Sequence, residues 1–94
     1  MHQIDKLDED KATLRVILYL HENKEAKLTT IMKGIPLGQK AVYTALATLT
    51  ELQLVEEETS REFPFTRNFI LTKKGQETAK HLAEIEKILR EQRD

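Results

Sequence analysis

The 94-residue chain contains no cysteine, so disulfide bonds, thiolate metal sites and cysteine-based redox sensing are excluded. It has only three glycines, and none of them belongs to a glycine-rich phosphate loop. No run of about eighteen apolar residues occurs, so the sequence offers no candidate membrane span. The histidines, His2, His21 and His81, are isolated and lack the spacing of a metal site. We therefore predict a protein that is not an enzyme, binds no metal or cofactor and does not enter a membrane.

An excess of charge of one sign is also missing. The 15 basic residues are set against 16 acidic ones, which gives a formal net charge of -1 at pH 7. Segment 28–55 is nevertheless slightly basic, with Lys33 and Lys40 against Glu51. Apolar residues make up 39% of the chain, enough for a single soluble domain with one small core and little room for a deep pocket. Residues 1–10 lack the features of a secretory signal, which predicts a cytoplasmic protein.

The spacing of apolar residues predicts a first helix that is mostly buried. Asp5 or Asp8 can cap it, with the acidic residues 9–10 in its first turn, and Asn23 can end it. A polar break at 22–27 then separates it from the next helix. The apolar stripe consists of Ala12, Leu14, Val16, Ile17, Leu18, Leu20 and His21.

Two more helices are predicted after this break. The second helix is short, because Gly34 is expected to take the left-handed conformation that ends a helix and Pro36 prevents its continuation. Its inner face is formed by Leu28, Ile31 and Met32. The third helix spans about 39–52, and its apolar face consists of Val42, Ala45, Leu46, Leu49 and Leu52. The opposite side carries Lys40, Tyr43, Thr44, Ala47 and Glu51.

A β-hairpin and a long helix complete the predicted order. The strands are 54–59 and 67–72, and Phe69 and Leu71 lie on the strand face that packs against the helices. Thr72 can cap a final helix that runs to about Gln92, with Gly75 in its first turn.

Two segments of this pattern resemble a known superfamily. Segment 37–55 resembles the recognition helix and wing entry of winged helix-turn-helix transcription regulators of the MarR, PadR and ArsR type, and segment 69–75 resembles their second wing strand and the start of the next helix. The resemblance implies a mainly α fold with a small β-hairpin, which is a winged helix-turn-helix with an additional C-terminal helix. Gln53 departs from the glycine that often ends the third helix in these families, so we expect a tighter or strained turn.

The resemblance also implies a sequence-specific transcription regulator that binds double-stranded DNA as a homodimer. Residues 1–74 would form the DNA-binding domain and residues 75–94 the dimerisation element. The third helix would enter the major groove, where lysine reads guanine and glutamine reads adenine, and the wing would reach the backbone or the minor groove. The residues expected to contact DNA are Thr29, Thr30, Gln39, Lys40, Tyr43, Thr44, Arg61, Arg67 and Lys73.

Each of these expected contacts has a structural alternative. Gln39 and Lys40 can be solvated helix residues, Tyr43 can be partly buried against the second helix, and the two threonines can cap the helix that they begin. In the wing, Arg67 can pair with a glutamate across the strands. The wing glutamates would repel DNA wherever they face it.

The final helix carries an apolar stripe that we expect to form the dimer interface through Leu82, Ile85, Ile88 and Leu89. The stripe can instead fold back on the first helix of its own chain. A different function is also open, in which the winged helix is a protein-protein interaction module of a larger assembly. The near-neutral charge favours that function, whereas the scarcity of large apolar residues on the exposed side of the third helix favours DNA.

Overall fold

The structure is a computed structural model that describes residues 3–8 and 11–91, and for Lys11 it describes the backbone only. Helix, turn, helix and hairpin follow one another as predicted, which confirms a winged helix-turn-helix with an additional C-terminal helix. The elements of the described residues are α1 (Ile4–Asp8), α2 (Lys11–Asn23), β1 (Glu25–Lys27), α3 (Leu28–Gly34), α4 (Gln39–Glu51), β2 (Val55–Thr59), β3 (Arg67–Leu71) and α5 (Lys73–Arg90).

The predicted first helix is divided into α1 and α2. Asp5 and Asp8, predicted as caps, lie inside α1, and residues 9–10 lie outside the described residues. The buried face of α2 is also rotated about the helix axis relative to the predicted stripe, since Leu14 and His21 are exposed. Apolar side chains cover much of the circumference of α2, so the positions of its neighbours, and not its own pattern, select the buried face. The buried residues are Ala12, Thr13, Val16, Ile17 and Leu20.

The sheet has one more strand than the sequence predicted. β2 and β3 form the expected hairpin, and β1 pairs with the other edge of β3, giving the antiparallel order β1-β3-β2. On the inner face Ala26 lies opposite Phe69, and Val55 lies opposite Leu71, and all four are buried. β1 lies within the segment that was predicted as a polar break. The strand was not predicted because Ala26 is its only buried residue and its pairing partner is distant in sequence.

The core lies between α2, the inner face of the sheet, α4 and α5. The predicted inner face of α4 is confirmed, with four of its five residues buried and Leu52 partly buried. Burial of each large apolar side chain contributes about 1.5–3 kcal/mol. The largest fully buried side chains are Phe69, Ile17, Leu20, Ile31, Leu49, Val16, Val42 and Val55.

The prediction that Gly34 ends α3 in a left-handed conformation is wrong. None of the described glycines has a positive φ, and the cap of α3 is Ile35 in an extended conformation. What Gly34 provides is space, because a Cβ there would stand 2.4 Å from Cε2 of Tyr19. The Tyr19 hydroxyl reaches across to donate to the carbonyl oxygen of Thr30 at 3.4 Å. Glycine thus permits close approach of α2 and α3.

The strain predicted at Gln53 is present. Gln53 has a φ of 65°, in the left-handed region, and lies directly after the Leu52 cap of α4. Its N–H donates to the Thr50 carbonyl at 3.0 Å, and the Leu54 N–H donates to the Leu49 carbonyl at 2.9 Å. These bonds close the turn into β2 at a conformational cost of about 1 kcal/mol.

Replacing Gln53 with glycine is expected to raise the free energy of unfolding by about 0.5 kcal/mol, because relief of strain exceeds the added entropy of the unfolded chain. Urea denaturation followed by circular dichroism measures the change. Ala47, exposed in the interior of α4, supplies the control, since Ala47→Gly should lower the free energy of unfolding by about 1 kcal/mol. A Gln53→Gly midpoint below that of the unmodified protein would contradict the strain.

The N-terminus of α5 is fastened to the same turn. The predicted cap, Thr72, accepts a hydrogen bond from the Gly75 N–H at 2.9 Å and donates from its hydroxyl to the Gln53 carbonyl at 2.7 Å. Its own N–H donates to the Leu54 carbonyl at 3.0 Å. α5 ends at Arg90, and the predicted end at Gln92 lies outside the described residues. The wing and α5 are therefore held at fixed positions relative to α4.

Candidate nucleic-acid interface

The turn between α3 and α4 places the start of α4 at the surface. Ile35 is buried and Leu37 is half-buried, so the turn is anchored in the core. Gly38 follows as the N-cap, and no atom lies within 4 Å of the position that a Cβ would occupy there. Gln39 and Lys40 are both exposed at this open helix start.

The exposed side of α4 is polar and has a small residue at its middle. Tyr43 is 46% exposed, so the predicted alternative of partial burial holds only in part. Thr44 and Ala47 are exposed beyond it. The far end of this side is occupied, because Lys6 of α1 pairs with Glu51 at 3.2 Å. The first two to three turns of α4 therefore form the open surface.

The predicted capping role of Thr29 and Thr30 is wrong. The N-cap of α3 is Lys27, and its side chain makes no cap hydrogen bond. Both threonine side chains are exposed in the first turn of α3. They are therefore surface groups on the helix that precedes α4.

Arg67, at the start of β3, is held by Glu57 of β2, which confirms the predicted cross-strand pair. Its Nη2 donates to Oε1 of Glu57 at 3.0 Å, and its Nε donates to Oε2. The hydrogen bond from Arg67 lowers the pKa of Glu57 below its usual value. The same bond chiefly raises the pKa of Arg67, and Tyr43 acts in the same direction. Arg67 lies opposite Thr59, at the end of the paired strands nearest the wing tip, and Tyr43 of α4 is near enough to act on its charge.

The remaining basic residues of the wing are spread along its length. Arg61 is exposed in the loop at the tip, where the Ser60 N–H donates to the Thr66 carbonyl at 2.9 Å. Lys73 is exposed at the opposite end of the hairpin, in a shallow depression shared with Glu56. A five-residue strand spans about 16 Å. The structure therefore brings Arg67 to the side of α4 but keeps Lys73 away from the tip.

Two aromatic residues of the wing tip did not feature in the sequence-based site. Phe63 is 87% exposed and Phe65 is 69% exposed, and their rings contact each other edge to face with centroids 6.3 Å apart. A signal was present in the sequence, because two phenylalanines flank Pro64 within a polar loop too short to fold back on the core. These rings are the most exposed aromatic groups of the described residues.

The outer face of the sheet is mainly acidic, with one lysine, Lys27, among its glutamates. Glu56 and Glu58 point away from the helices on β2, opposite in direction to Glu57, and Glu25 of β1 lies on the same outer face. Asn68 donates from Nδ2 to Oε1 of Glu25 at 3.4 Å. This face would repel phosphates.

A second surface runs along the C-terminal half of α5. Ile85 is 51%, Ile88 62% and Leu89 76% exposed, whereas Leu82 packs partly against the core of its own chain. The alternative that the stripe folds back on α2 therefore holds for its first part only. Beside it lies a shallow groove of about 290 Å³ lined by Ile4, Asp5, Leu7, Asp8, Leu14 and Leu82.

Among residues 3–8 and 11–91, no three His, Asp or Glu side chains converge in a way that could hold a metal ion. No helix in the described part of the chain has the length and apolar character needed to cross a membrane.

No family model matches the sequence, and no curated protein matches it significantly. Solved structures do match. A transcriptional regulator homologue from Pyrococcus horikoshii has a TM-score of 0.77 at 18% identity, over 93% of this chain and 86% of its own. A MarR-family transcriptional regulator from Porphyromonas gingivalis has a TM-score of 0.81 at 21% identity, over 96% and 87%. A protein from Archaeoglobus fulgidus has a TM-score of 0.76 at 19% identity, over 97% and 100%. At these identities the likeness shows the fold.

Proposed function

We propose that this protein, which shares its winged helix-turn-helix fold with transcriptional regulators, is itself a regulator. It would bind double-stranded DNA sequence-specifically as a homodimer. The observation that carries the proposal is the exposed side of α4. Its first turns present Gln39, Lys40, Tyr43 and Thr44 and expose no large aliphatic side chain. Such a side suits the major groove, which admits one helix and offers donors and acceptors on the base edges.

The neighbouring elements add contacts to the backbone. Thr29 and Thr30 would donate to a phosphate from the start of α3. Arg61 would reach the duplex from the wing tip and Lys73 from the wing base, while Arg67, near Tyr43, would add a contact that its pair with Glu57 weakens. With so few basic residues on this surface, non-specific affinity is expected to be modest, because it comes from neutralised phosphates.

The experiment that tests the function is fluorescence anisotropy of a labelled generic duplex at about 50 and 200 mM salt, where four neutralised phosphates predict a loss of affinity of about 100-fold. Lys40→Gln should weaken binding, whereas Lys80→Gln, the same change on exposed α5, should not. Failure to bind at the lower salt with tens of micromolar protein would reject the proposal.

The homodimer would form through α5. Three exposed apolar residues on one side of a helix, Ile85, Ile88 and Leu89, leave an unsatisfied hydrophobic surface that a second copy can cover. The groove beside them continues this apolar surface onto α1 and α2. A dimer that places two copies of α4 about 34 Å apart would read a palindromic site from one side of the duplex.

The Glu57–Arg67 pair predicts a gain of affinity on mutation. Glu57→Gln should tighten binding about threefold and steepen the salt dependence by about one unit, because Arg67 becomes free to neutralise one more phosphate. Anisotropy titrations at several salt concentrations measure both quantities. Glu58→Gln removes the same charge from the outer face, where no arginine is held, so its smaller change is the control. Equal gains from the two variants would show only a general charge effect.

A second candidate function is supported by the acidic outer face of the sheet. Glu25, Glu56 and Glu58 form a surface suited to a basic protein partner, as in a winged helix used for protein contacts in a larger assembly. The anisotropy experiment separates the two functions, since a protein-contact module would not bind the duplex at the lower salt.

A further inference from the structure

We propose that the wing tip is an aromatic wedge, in which Phe63 and Phe65 enter the minor groove and unstack one base step. This inference rests on the DNA binding proposed above and adds to it a deformation of the duplex. Its starting point is a pair of aromatic rings that the fold does not use.

The two rings make no contribution to the core. Of the three phenylalanines in the chain, Phe69 is 1% exposed, whereas Phe63 and Phe65 are 87% and 69% exposed. Neither belongs to the core cluster or to the half-buried residues packed against it. A phenylalanine buries about 150–250 Å² when it finds a partner. Burial of this pair by a binding partner would therefore contribute substantially to the free energy of binding.

The loop holds the rings in a defined position. The Ser60 N–H donates to the Thr66 carbonyl at 2.9 Å, which closes the loop at its base. The Ser60 hydroxyl donates to the Glu62 carbonyl at 2.8 Å and accepts from the Glu62 N–H at 3.3 Å. With these bonds and the edge-to-face contact between the rings, less entropy is lost when the tip is bound.

The two arginines beside the rings favour nucleic acid as the partner. Arg61 precedes the rings in the loop and Arg67 follows them at the start of β3, so the apolar tip lies between two cations, of which Arg67 is paired with Glu57. The minor groove has a negative potential that attracts arginine, and apolar side chains that enter it partially unstack base steps and kink the duplex. A single acidic residue, Glu62, opposes this charge within the loop.

The length of the wing agrees with this placement. β2 and β3 remain paired from Val55↔Leu71 to Thr59↔Arg67, which puts the tip about 16 Å beyond the base of the hairpin. With α4 in the major groove, a projection of this length beside it can reach across one strand of phosphates to the adjacent minor groove.

The test uses duplexes rich in A·T pairs that carry 2-aminopurine at TA steps, the steps that unstack most easily. The unmodified protein should raise 2-aminopurine fluorescence on binding. The double variant Phe63→Ala/Phe65→Ala should abolish the rise and bind about tenfold more weakly. Because both rings are exposed, its circular dichroism should match that of the unmodified protein. The matched variant Phe63→Leu/Phe65→Leu keeps an apolar tip and should keep part of the rise.

The outcomes separate the wedge from DNA binding itself. Salt-sensitive binding without any rise in fluorescence, equally strong in the alanine variant, would overturn the wedge and leave the DNA-binding function standing. Absence of duplex binding would overturn both. If the alanine variant instead had a lower oligomeric mass by light scattering, the rings would be a contact between copies of the chain, and the wedge would be rejected.

Discussion

Gly75→Ala is expected to destabilise the protein by about 3 kcal/mol or more, since overpacking against an immovable neighbour is among the most costly single changes. A Cβ at this position would stand 1.9 Å from the carbonyl oxygen and 2.8 Å from the carbonyl carbon of Leu54, which are backbone atoms. The Leu54 carbonyl already accepts from Thr72, and the Leu54 N–H donates to Leu49. Neither side can move without loss of the bonds that fasten α5 and the wing to α4.

Thermal and urea denaturation measure this effect, and the other two glycines supply graded controls. A loss of 3 kcal/mol in a chain of this size lowers Tm by about 15 °C. Gly34→Ala meets only the ring of Tyr19, which can rotate away, so its loss should be smaller. Gly38→Ala meets no atom within 4 Å and should cost less than about 1 kcal/mol. A Gly75→Ala variant as stable as Gly38→Ala would contradict the close contact between α5 and Leu54.

Leu89→Glu is expected to convert the proposed dimer to a monomer and to weaken binding to a palindromic duplex by about 100-fold, because the linkage between two half-sites is lost. Leu89 is 76% exposed, so the change removes no contact from the core of its own chain. A carboxylate placed in an apolar interface would have to be desolvated without a partner, which opposes association.

Light scattering and anisotropy together measure this second effect. The unmodified protein should have twice the 10.9 kDa mass of one chain, and Leu89→Glu should have the mass of one chain. Lys80→Gln changes the charge of α5 by the same amount away from the stripe and should leave both mass and affinity unchanged. An unmodified protein that is monomeric well above micromolar concentration would contradict the dimer.

Local patterns predicted most of the fold. Helical spacing placed α3, α4 and α5, alternation placed Phe69 and Leu71 on the inner face of β3, and the threonine at 72 was correctly predicted as the cap of α5. These features depend on residues close to one another in the chain. Even the strain at Gln53 was predictable, because a helix end without glycine leaves another residue in the left-handed conformation.

Features that depend on distant contacts were missed. β1 is defined by its pairing with β3, and its own residues read only as a polar break. Gly34 was interpreted by its conformational freedom and Gly75 only as a residue of the first turn of α5, whereas each leaves space for an element remote in sequence.

The candidate site, like the fold, was predictable from the sequence only in part. The sequence alone identified the exposed side of α4 and the wing arginines, because helical spacing and turn signals determine which residues lie outside. Only the tertiary structure decided that Arg67 is held by Glu57 beside Tyr43, and that the two rings of the wing tip are exposed together. The physical reason is that periodicity and capping act over a few residues, whereas strand register, ion pairing and steric clearance arise only when distant segments are packed.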